Sequence, residues 1–110
     1  MSRYIISLTS IPPRFSGLQS TLRSLLNQTV PPENVILYLS RHYVRYPDWD
    51  GQLPQVPEGV ETRLVDENWG PATKLLPALK DFAGEDLEIL FCDDDQIYRP
   101  NMAARFLEAR

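Results

Sequence analysis

The chain has 110 residues, 43% of them hydrophobic and 24% charged, a composition that suits one globular domain with a single core. Its net charge is −4 and Lys and Arg form no run, which argues against a general role on nucleic-acid phosphates. The single cysteine, Cys92, excludes an internal disulfide; with the single histidine, His42, it gives too few ligands for a Cys/His zinc site.

The chain opens on "RYIISLT", Arg3 to Thr9, an apolar run with the length of a strand. It is too short for the apolar region of a secretory signal, and no later stretch approaches membrane-spanning length. A cytoplasmic protein without a membrane span is therefore expected. Next, "SGLQSTLRSLLNQT" sets Leu18, Leu22, Leu25 and Leu26 on one stripe of an amphipathic helix. Ser16 and Gln19 have capping-box spacing, which predicts the helix start, and Pro31-Pro32 stops the helix before "NVILYLS", Asn34 to Ser40, the second strand. Arg41 to Gly59, with three prolines and several aromatics, reads as an ordered, irregular connection.

Val60 to Val65 forms a third strand, and "GPATKLLPALKDFAG" a second helix with Leu75, Leu79, Phe82 and Ala83 inward. Pro77 should kink or restart that helix, and Gly84 suits its C-terminal cap. Leu87 to Cys92 is the fourth strand, and a last helix is expected from Pro100 to about Arg110, with Ala103, Phe106 and Leu107 inward. This order predicts an α/β, Rossmann-like, mostly parallel sheet of about four strands in the order 3-2-1-4 with flanking helices. In that order the winding reverses between the first and fourth strands, where ligands bind outside the carboxyl ends of strands. Two loops would meet there, "TSIPPR" (Thr9 to Arg14) and the acidic triplet Asp93-Asp94-Asp95.

Three adjacent carboxylates repel one another, so something must compensate them. Along an extended chain Asp93 and Asp95 share a face while Asp94 turns away, which makes Asp94 the member least expected to touch a metal. Carboxylate oxygens favour Mg²⁺ or Mn²⁺, and Mg²⁺ is usually held by one or two carboxylates together with water and phosphate oxygens. The other reading is a solvated turn after a strand. An EF-hand is excluded, because Tyr98 and Ala104 stand where it needs Gly and Glu. The five glycines match neither the dinucleotide nor the Walker spacing, so phosphate would have to be held by metal and side chains. Arg14, able to grip phosphate bidentately, and Lys74, a point charge, are the candidate cations, though a solvated surface cation is the commoner outcome for either alone. Trp69 suits core or lid packing better than stacking on a base, and Cys92 and His42 are given no chemistry.

Three segments, "IISLTSIPPRF", "VDENWGPATKLLPAL" and "ILFCDDDQIYRP", resemble in that order the nucleotide-sugar-binding half of GT-A-type glycosyltransferases near the family 2 group. The resemblance spans essentially the whole chain, and the triplet looks like that fold's DxD motif. It implies a nucleoside-diphosphate sugar, such as a UDP- or GDP-sugar, bound through Mn²⁺ or Mg²⁺. Asp95 would hold the metal, Asp93 the ribose or the metal, and Asp94 would belong to the same donor site. Thr9, Ile11 and Arg14 fall where the family's first loop surrounds the nucleoside; Asn68 and Gly70 resemble its N-x-G turn; Lys74 stands where a basic residue approaches the nucleotide. The acidic base contact that members often carry after the second strand is replaced by Leu39-Ser40-Arg41, which leaves the base open. The family's acceptor site and catalytic base would follow Arg110, so no catalytic residue is assigned. A fragment, a truncated frame or a half that pairs with another chain, including a dimer, is expected. Three rivals stay open: a haloacid dehalogenase-like phosphohydrolase, a receiver domain, and a non-catalytic α/β remnant or partner-dependent module. The first two want their acidic residues on the first strand, where this chain has Thr9-Ser10.

Overall fold

The structure, a computed structural model, describes residues 3–43, 45–66, 73 and 75–109. Its strands are β1 (Tyr4–Thr9), β2 (Asn34–Ser40), β3 (Val60–Val65) and β4 (Glu88–Phe91). All neighbouring strands pair in parallel in the order β3-β2-β1-β4, the predicted Rossmann-like arrangement. The register sets Tyr4 beside Glu88 and Ile5 beside Asn34, so β1 is flanked on both edges.

Side chains alternate across the sheet. Tyr4, Ile6 and Leu8 of β1, with Val35, Leu37 and Leu39 of β2, face one layer, while Ile5, Ile36 and Tyr38 face the other. Both faces of these central strands are covered, which is why their sequences are nearly continuous in apolar residues. The first face receives α1 (Leu18–Leu26) through Leu18, Leu22 and Leu25, each fully buried, and α3 (Met102–Ala109) through Ala103. Each buried leucine contributes about 1.5–3 kcal/mol by leaving water. The second face receives the short α2 (Leu76–Asp81).

The approach to α1 differs from expectation. Pro12–Gly17 form a 3-10 helix that runs straight into α1, so Ser16 lies inside a helical turn instead of preceding one. Gly17 occupies the cap position with no side-chain cap bond, and the Gln19 amide donates to the Gln55 carbonyl instead, tying α1 to the irregular connection. The proline pair Pro12-Pro13 favours the tight turn, and this overrides the capping box.

Pro77 lies in the first turn of α2, where its missing N–H costs no helical bond, and Gly84 takes the left-handed φ of 84° just beyond the helix. The inward set is different from the predicted one: Pro77 and Ala78 are buried, Phe82 is half-buried, and Leu75, Leu79 and Ala83 are exposed. The helix begins only at Leu76, and Leu76 and Leu79 lie outward. In α3, Phe106 is likewise exposed, while Ala103 is buried and Leu107 half-buried. Among the described residues no helix is long and apolar enough to cross a membrane.

Candidate functional site

Because β1 and β4 are neighbours, the loop after β1 and the triplet after β4 meet at the carboxyl edge of the sheet. The contact is built from side chains. The Ser10 hydroxyl donates to Asp94 Oδ2 at 2.6 Å, and an Arg14 guanidinium N–H donates to Asp94 Oδ1 at 2.8 Å. Thr21, one turn into α1, donates from Oγ1 to the Asp94 backbone carbonyl at 3.3 Å. Beyond β4 the chain does not stay extended as expected: Asp94 and Asp95 lie in a turn, with Cys92 and Asp94 buried and Asp93 and Asp95 exposed. The Asp94 side chain is 7% exposed; that of Asp95 is 56% exposed.

Arg14 also lies 4.0 Å from Asp95 Oδ2, so one guanidinium stands between two of the three carboxylates. The hydrogen bond to Asp94 and the negative charges around it hold the Arg14 pKa above its ordinary value. Arg14 thus compensates part of the triplet's charge. Ser10 is fixed in turn: the Tyr43 hydroxyl donates to the Ser10 carbonyl at 3.0 Å and accepts the Ser40 backbone N–H at 3.1 Å, linking the ends of β1 and β2. Around Tyr43 stand Phe15, Tyr46 and Trp49 in edge-to-face contacts, the ordered core of the irregular connection.

The far side of the triplet is anchored to α1. The Tyr98 hydroxyl accepts the Asp93 backbone N–H at 2.8 Å and donates to the Asp93 carbonyl at 3.2 Å, and burial pushes its pKa up to about 12, so it stays a donor. The Tyr98 N–H donates to Ser24 Oγ, and the Gln28 amide bridges the Arg99 carbonyl and the Ala103 N–H that opens α3.

Of the residues expected at the donor site, Arg14, Asp93, Asp94 and Asp95 are brought together. Thr9 closes β1 with its hydroxyl donated to the Tyr38 carbonyl, and half-buried Ile11 starts the turn into the 3-10 helix. Asn68, Gly70 and Lys74, with Trp69, lie outside the described residues. Ser10, Thr21, Ser24, Gln28 and Tyr43 are the contributors that sequence reasoning misses. The one available signal is position, since Ser10 directly follows the first strand and Thr21 and Ser24 lie off the leucine stripe.

Among the described residues no group of three or more His, Cys, Asp or Glu side chains is arranged to hold a metal. The donor set at the triplet is two exposed carboxylates, Asp93 and Asp95, beside a guanidinium. That set is too small to cage an ion by protein alone. A separate cleft of about 660 Å³ opens on the second face beside Tyr38, Leu76 and Pro77. Among the described residues its charged lining is Arg63 and Lys80 against Asp66 and Asp81.

Fold and site together define a class, a Rossmann-like α/β domain with a fixed acidic loop at its switch point. No family model, curated protein or solved structure matches the chain.

Proposed function

We propose that the chain binds a nucleoside-diphosphate sugar at the carboxyl edge of β1 and β4, as the donor-binding part of a GT-A-type glycosyltransferase. The observation that carries the reading is the hydrogen-bonded junction of the β1 loop with the triplet, which leaves Asp93 and Asp95 facing solvent at the point where the sheet reverses its winding. Asp95, with Asp93, would hold Mn²⁺ or Mg²⁺, and the ion's part is to neutralise the diphosphate. Ser10 and Arg14 keep the loop in place, and the rest of the exposed Arg14 guanidinium faces the same edge.

Thermal unfolding in the presence of Mn²⁺ and a panel of UDP- and GDP-sugars tests this. Ligand at about 100 times its Kd stabilises by about 2.7 kcal/mol, which raises Tm by roughly 10 °C for a domain of this size. Asp95→Asn should abolish the rise while leaving the unliganded Tm unchanged or higher, since it removes a repelling charge. A full nucleotide panel without any shift overturns the donor site.

A further inference from the structure

The three acidic residues do not have equivalent surroundings. Asp93 and Asp95 are exposed, whereas the Asp94 carboxylate is enclosed and its two oxygens accept hydrogen bonds from Ser10 and Arg14. Building on the donor-site reading, we propose that Asp94 is the positioning residue of the triplet. Held from inside by Ser10, it fixes where Asp93 and Asp95 present their carboxylates, and Tyr43 ties this hold to the end of β2.

Asp94 and Asp95 form a turn just after β4, and with the Asp94 carboxylate fastened inward its neighbours on both sides are exposed. Without that fastening, mutual repulsion would spread the three charges over many loop conformations. Ordering them would then fall to the ligand, which lowers affinity. The fastening reaches beyond one contact. Ser10 is itself held through its carbonyl by Tyr43, and the Asp94 carbonyl accepts from Thr21, so β1, β2 and α1 all bear on one residue. Among the described residues no buried side-chain polar atom lacks a hydrogen-bond partner. A satisfied network of this kind specifies one arrangement.

The test measures Mn²⁺ binding in the presence of UDP, from the loss of the free-ion electron paramagnetic resonance signal. It compares the wild-type chain with Asp94→Asn, Ser10→Ala and the double variant, each first shown to be folded by circular dichroism. Asp94→Asn and Ser10→Ala should each weaken binding about tenfold, the low end of the range for residues that orient ligands without touching the metal. The double variant should be no weaker than Asp94→Asn alone, because both changes release the same hold. The bound-ion spectrum should broaden in all three as Asp93 and Asp95 lose their fixed places. Tyr43→Phe, which keeps every charge, should weaken binding in the same direction by a smaller factor and serves if either larger change fails to fold. Unchanged affinity in Asp94→Asn overturns the proposal. So do additive losses in the double variant, which would make Asp94 a direct ligand contact. A wild-type chain that binds no Mn²⁺ with UDP overturns instead the donor-site reading on which the role rests.

Discussion

On one face of the sheet, α1 and α3 press an apolar layer onto alternate residues of β1, β2 and β4. On the other, the six-residue α2 covers Ile5, Ile36 and Tyr38 and buries only Pro77 and Ala78 of its own. Each face also carries a carboxylate–guanidinium cluster. On the first, Arg14 meets an Asp94 that is enclosed and bonded from two further side chains. On the second, Arg63 bridges Glu61 and Asp81 and lies 5.4 Å from the centre of the Phe82 ring, with all three charged groups about a third or more exposed. The same chemistry therefore serves different ends. Enclosed by three elements it fixes a loop, whereas at the surface it trims a thin layer and is worth little.

Three experiments press on this inequality. The largest effect is expected on the first face, where Leu22→Ala empties a fully buried site between α1 and the sheet and should cost about 3 kcal/mol in chemical denaturation. A loss below about 1 kcal/mol would show that this face is no better packed than the other.

The second experiment uses acid. The hydrogen bond from Arg63 holds the Glu61 carboxyl below its ordinary pKa. A folded pKa below the unfolded one means stability that is present above about pH 4.5 and is lost as pH falls through the folded value. Arg63→Met should therefore flatten the acid limb of the stability curve, read as the denaturation midpoint from pH 5 downward. Glu33, lowered by Arg3 at the amino ends of β1 and β2, contributes to both curves alike, so only the difference between them belongs to the second face. Parallel acid limbs would mean that the Arg63 cluster does not act in solution.

The smallest effect is expected at Leu79, which is 49% exposed on α2. Leu79→Ala should change stability by no more than about 0.5 kcal/mol, against several times that for the same substitution at Leu22. A cost similar to that of Leu22 would mean that something covers the outer face of α2.

The same contrast explains what the sequence discloses. β2 is legible to the residue because a strand covered on both faces needs an apolar run, here opened by Pro31-Pro32, and the half-buried edge strand β3 because Gly59 marks its start and Val60, Leu64 and Val65 its apolar ends. The α1 stripe is legible because Leu18, Leu22 and Leu25 all meet one flat layer. The phase of α2 is not, because Pro77 decides where the helix begins and its leucines have too little sheet beneath them to impose a face. Phe106 in α3 follows the same logic: apolar periodicity marks a helix but not how much of its stripe finds a partner. At the site, the triplet and Arg14 stand out as charged residues near strand ends. Ser10, Thr21 and Tyr43 do not, since a hydroxyl acquires its role from an acceptor that arrives from a distant part of the chain.

That distance has a kinetic consequence. Tyr4 pairs with Glu88, and Ser10 meets Asp94 across 84 positions, with two intervening strands and α2 to be laid down first. Closing a loop of that length costs roughly 4 kcal/mol in chain entropy before any contact repays it. During synthesis, at about 5–20 residues per second, β1 and β2 are complete seconds before the strand that carries the triplet is made. Until β4 docks, one edge of β1 stays open and Ser10 has no carboxylate to bind. During synthesis the acidic loop is therefore the last part of the sheet to become ordered.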